Sequence, residues 1–77
     1  MGRYQAARAP LAKAGERWPD IFQLNSLYGA ILVKLGDDAA AVRVLSRAHD
    51  INPQDAATTD LLQAAQRRLA QKAADSH

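Results

Sequence analysis

A displacement of 34 residues carries this chain onto itself. Gly36 falls on Gly2, Ala41 on Ala7, Leu45 on Leu11, Ala48 on Ala14 and Pro53 on Pro19. Five matches of residue type at one spacing make an internal repeat. Within the unit, a small, a large and a small residue follow at intervals of four and three, the period of one helix face. The proline then ends the unit, because it cannot continue a helix. A unit of this length holds two helices and a turn, and neither helix buries its apolar side alone. The chain is therefore expected to fold by stacking helix on helix.

Composition agrees. The sequence is 48% hydrophobic but only 5% aromatic, and 17 of its residues are alanine, which favours closely packed helices over a sheet with a bulky core. An all-α fold in one domain, 1–77, is expected. A chain this short buries only about 60 to 65 per cent of its surface, so its stability should be modest. Ten Lys and Arg against eight Asp and Glu leave a formal charge of +2 spread along the chain, so nucleic-acid binding is not implied despite a pI near 9.4. The lack of cysteine excludes disulfides and thiolate zinc sites. Met1-Gly2-Arg3-Tyr4-Gln5 lacks a signal peptide's apolar core, and no apolar run approaches the roughly 20 residues that span a bilayer. The expectation is a soluble, cytoplasmic protein without membrane insertion, either whole or a segment of a longer repeat protein whose targeting signal lies elsewhere.

Four helices are expected, at about 3–17, 20–35, 38–51 and 54–73. In the first, Tyr4, Ala7, Leu11, Ala14 and Trp18 form one stripe. Pro10 inside it predicts a kink or an early break near Ala9. Tyr4 and Trp18 are assigned to core packing in preference to an interface. The Trp18-Pro19-Asp20 turn can cap the second helix, whose Leu24, Leu27, Tyr28, Ile31, Leu32 and Leu35 form a face broad enough for two neighbours. Gly36 supplies a left-handed stop, and Asp37 or Asp38 can cap the third helix. Pro53 is expected to stop the third helix and is tolerated at the start of the fourth, whose narrower stripe is Leu61, Leu62, Ala65 and Leu69. Asp75-Ser76-His77 should fray.

The period and the order of residues at Gly29, Leu32, Ala41, Leu45, Ala48 and Pro53 resemble the tetratricopeptide repeat. The resemblance covers nearly the whole chain. It implies antiparallel helical hairpins stacked as a short α-solenoid, with residues 20–53 as one complete repeat. Residues 2–19 are then a second-type helix alone, and residues 54–73 a first-type or capping helix. Asn25 and Asp38 depart from the family by standing where large side chains are usual, and Tyr28 stands for a leucine. The resemblance also implies a non-catalytic module for binding a partner protein or peptide on the surface lined by first-type helices. Carried over by register, those positions are Gln23, Ser26, Leu27, Ala30, Val33 and Lys34, with Ala57, Asp60, Leu61, Ala64, Arg67 and Arg68. Family members that clamp chaperone tails use Asn, Lys and Arg where this chain has Leu27, Ala57 and Leu61, so that activity is not carried over.

One and a half to two repeats are fewer than the three or so that stacking usually requires. Either the outer helices cap the stack, or its open ends close on a second copy as a homodimer, or neighbouring repeats lie in a longer chain. Arg67-Arg68 with Lys72 suits a solvated helix end better than an acidic partner. His49 and His77 have no companions at metal-ligand spacing, so no metal is expected. No phosphate-binding glycine loop or nucleophile motif is present, so no catalytic residue, cofactor or enzyme activity is expected. A nucleic-acid-binding helical repeat would need a long basic face, which Leu27, Ala30 and Asp60 interrupt.

Overall fold

The computed structural model describes residues 2–75, which form four α-helices: α1 (Gly2–Arg17), α2 (Phe22–Leu35), α3 (Asp38–Ile51) and α4 (Ala56–Asp75). The all-α fold is as expected, and α3 has the bounds its sequence suggested. The stack measures 38 × 31 × 19 Å, and 19 Å is the thickness of two helix layers. Among the described residues each helix packs on the next and α2 also meets α4, whereas α1 packs on no helix but α2. This is an open stack of hairpins, not a closed ring.

Its centre is the α2–α3 hairpin. Leu32, Ala41, Leu45 and Ala48 are wholly buried there, Leu32 and Leu45 each contributing about 1.5–3 kcal/mol from burial. Gly29 is what lets the two helices approach. A β-carbon built on it would lie 2.5 Å from Leu45 Cγ and closer still to Leu45 Cδ2. Gly36 ends α2 at φ 79°; its N–H donates to Val33 O, and the Asp37 N–H donates to Leu32 O. That paired arrangement satisfies two of the last four carbonyls of α2, those of Leu32 and Val33, with no intervening loop.

Several expectations are corrected. α1 is continuous through Pro10, so the break near Ala9 does not occur. Pro10 and Ala6, whose carbonyl loses its donor, are both exposed, so water can take the missing bond. α2 begins at Phe22, two residues late, and Asp20 makes no cap. Ile21 is the N-cap residue, and the Asn25 side chain instead reaches back to donate to Pro19 O at 2.8 Å and Ile21 O at 2.9 Å. Pro53 lies in the turn before α4, which begins at Ala56. Asp55 caps it, accepting from the Thr58 N–H at 2.9 Å and the Thr58 hydroxyl at 2.7 Å. α4 also runs through Asp75 instead of ending near 73; the expectations for Ser76 and His77 lie outside the described residues. Tyr4 and Trp18, assigned to the core, are 43% and 50% exposed, because no helix covers their side of α1.

Candidate functional site

Helical periodicity puts Gln23, Ser26, Leu27, Ala30, Val33 and Lys34 on one face of α2, and Asp60, Ala64, Arg67 and Arg68 on one flank of α4. The two helices are brought together where Ser26 faces Thr58. The Thr58 hydroxyl proton goes to Asp55, so Ser26 Oγ must donate to Thr58 Oγ1, a long contact of 3.4 Å. Gln23, Leu27, Lys34, Asp60, Arg67 and Arg68 are exposed, and Ser26, Ala30 and Ala64 half-buried. Val33 is also half-buried, packed against the core. The result is a strip with an apolar middle at Leu27 and Ala30 and polar residues around it.

Arg68 does not point along the strip. It and Lys72 serve Asp38, the first residue of α3, whose side chain is 2% exposed. Lys72 Nζ lies 2.8 Å from Asp38 Oδ2 and donates to Gly36 O at 2.9 Å, while Arg68 Nε stands 3.4 Å from Asp38 Oδ1 without an aligned hydrogen bond. Asp38 Oδ1 is buried with no hydrogen-bond partner among the described residues. The cluster ties α4 to the α2–α3 turn. Of the three basic residues read as a solvated end, only Arg67 makes no ion pair among the described residues.

Two more carboxylates are fixed by helix starts. Asp37 caps α3 by accepting from the Ala40 N–H at 3.3 Å, and it pairs with Arg8 of α1. The Ala40 N–H holds its carboxyl below the ordinary 3.8, against the opposing cost of desolvation and with help from Arg8. Asp55 is lowered by the hydroxyl and then the N–H of Thr58. Both remain ionised near neutral pH, so they act as structural anchors rather than as proton donors.

A groove of about 530 Å³ separates α1 from α3 above α2, with Gly15, Asn25 and Tyr28 among its lining residues and Glu16, Arg43 and Arg47 from the flanking helices. It contains no paired carboxylates and no nucleophile beside a base. Among the described residues no three His, Asp or Glu side chains gather as metal ligands, and no helix is long and apolar enough to cross a membrane. Asn25, Asp38 and Thr58 are the buried polar residues that periodicity alone passes over. No family model, curated protein or solved structure matches the chain.

Proposed function

We propose that the chain is a non-catalytic interaction module of the tetratricopeptide-like kind, which receives a partner protein or peptide along the strip shared by α2 and α4. The observation that carries this reading is the contact of Gly29 with Leu45. The tetratricopeptide resemblance assigns Gly29 to close helix approach and Leu45 to large packing, and there is no room for a β-carbon between them. Hairpins joined in this way leave a helix face toward water, and a face recognises by shape and side chain rather than by chemistry. Leu27, 54% exposed, stands in the apolar middle, and Gln23, Lys34, Asp60 and Arg67 supply a polar rim. A cytoplasmic compartment belongs to the same proposal.

Peptides selected from a displayed random library against the wild-type chain provide the test. Binding should be lost on Leu27→Asp and weakened on Ala30→Asp, with the melting curve of the exposed Leu27 variant unchanged. Selected peptides that bind Leu27→Asp as tightly as wild type would exclude the strip. Self-association is the second reading, favoured by the exposed Tyr4, Trp18 and Ile21. Light scattering over a wide concentration range separates the two, since a dimer that persists on dilution would make the apolar surface a homodimer interface.

A further inference from the structure

We infer that the outer face of α1 docks an acidic amphipathic helix of another protein, in the place against α1 that α2 occupies against α3. The inference rests on the 34-residue register but not on the strip. In that register Ala7, Leu11 and Ala14 correspond to Ala41, Leu45 and Ala48, which are wholly buried under α2 and its neighbours. Their α1 counterparts are only half-buried. Among the described residues α1 packs on no helix but α2, whereas α3 is held between α2 and α4. Tyr4, Ala7, Leu11, Ala14 and Trp18 follow at intervals of three and four, and the two aromatic ends are 43% and 50% exposed.

Charge selects the occupant. Arg3, Ala7, Pro10, Ala14 and Arg17 form the edge of the same stripe, at intervals of four and three, so a guanidinium stands at each end. Neither Arg3 nor Arg17 has an acidic partner among the described residues, and Arg17 lies 5.0 Å from the Trp18 ring centroid. α1 carries four basic residues against the single acid Glu16. The complementary surface is a helix with a small residue and a large aliphatic one three positions on, as in Gly29 and Leu32, flanked by Asp or Glu.

A second copy of the chain does not offer this. Its α2 uses Gly29 and Leu32 against its own α3, and α4 has Gln63 and Gln66 at the corresponding positions. No helix of the chain is net acidic: α2 has only Lys34, α3 balances Asp38 and Asp50 with Arg43 and Arg47, and α4 has three basic residues against two acids.

The experiment uses Trp18, the chain's single tryptophan, as its reporter. The probe is a synthetic peptide of residues 20–36 carrying Gln23→Glu, Ala30→Glu and Lys34→Glu, which contains no tryptophan. Titrated into the full chain, it should shift Trp18 emission to the blue and saturate. The same peptide with lysine at those three positions should bind roughly tenfold more weakly, as should the acidic peptide to the Arg3→Glu/Arg17→Glu variant. Ala14→Asp should abolish the shift, and Leu27→Asp should leave it intact, which separates this face from the strip. The two arginines are exposed, so their variant decides the matter even where Ala14→Asp fails to fold. No shift up to the solubility of the peptide, or equal binding by the lysine peptide, would overturn the inference. A blue shift on concentrating the chain alone, with a dimer in light scattering, would give the face to a second copy and overturn it as well.

Discussion

Gly29→Ala measures directly how closely α2 and α3 approach. In an exposed helix interior the change would stabilise by about 1 kcal/mol, because alanine has less backbone freedom to lose. Here the new methyl would sit 2.5 Å from Leu45 Cγ, and Leu45 is wholly buried, so its side chain has nowhere to turn. Overpacking of this kind costs about 1–3 kcal/mol. The two effects oppose, and the expected outcome is a net loss of about 1 kcal/mol, reaching about 2 if Leu45 cannot shift. Gly15 is the matched control, since it is helical and buried, yet a β-carbon there meets nothing within 4 Å. Gly15→Ala should gain about 0.5–1 kcal/mol.

Thermal unfolding followed by far-ultraviolet circular dichroism compares the pair. In a domain of this size 1 kcal/mol corresponds to about 4–8 °C, so the two variants should differ in Tm by about 10 °C. Adding Leu45→Ala removes the atoms that the new methyl strikes. The Gly29→Ala penalty should then vanish or reverse, with a favourable coupling of about 1 kcal/mol or more. If both alanine variants are stabilised equally, the close contact is wrong, and with it the resemblance that assigns Gly29 to it.

Four further outcomes follow from particular contacts. Ala48→Leu, at a wholly buried position, should lose about 1–3 kcal/mol in thermal unfolding. Asp38→Asn should lose about 1–2 kcal/mol, with faster amide exchange confined to α4 beyond Ala65, because the ties to Lys72 and Arg68 go with the charge. Asp37 and Asp55 have folded-state pKa values below the ordinary 3.8, so their contribution is present above about pH 5 and lost as pH falls through 3.8 and below; Asp37→Asn and Asp55→Asn should each flatten acid unfolding. Pro10→Ala should gain about 2–3 kcal/mol by restoring an interior helix bond, read as slower amide exchange in α1.

The α2–α3 hairpin was legible because every signal there is local or periodic. Gly36 needs only its lack of a β-carbon to end α2, and the 34-residue recurrence marks Leu45 and Ala48 as contact positions before any partner is known. Tyr4 and Trp18 were misread for a reason that periodicity cannot repair. A stripe states which side of a helix is apolar, but it does not state whether another helix lies against that side. The start of α2 carries no cap signal because Ile21, its N-cap residue, has no side-chain acceptor; the entry is ordered instead by the Asn25 side chain, which donates back to the carbonyls of Pro19 and Ile21 ahead of the helix.

The ion cluster at Asp38 has no local or periodic signal of that kind. Lys72 stands 34 residues after Asp38, but α4 runs on unbroken where the repeat would turn, so Lys72 in its last turn meets the first residue of α3. The two are not equivalent points of stacked hairpins, and their pairing follows from the length of α4 and its antiparallel course along α3. That pairing explains why α4 continues as a helix beyond Ala65 although all its later described residues are exposed. Apolar burial holds its first half through Thr58, Leu61, Leu62 and Ala65, and the second half is held by two long basic side chains reaching one buried carboxylate. Such a tether is screened by salt only on its exposed side, so added salt should loosen the end of α4 well before it loosens the hairpin beneath.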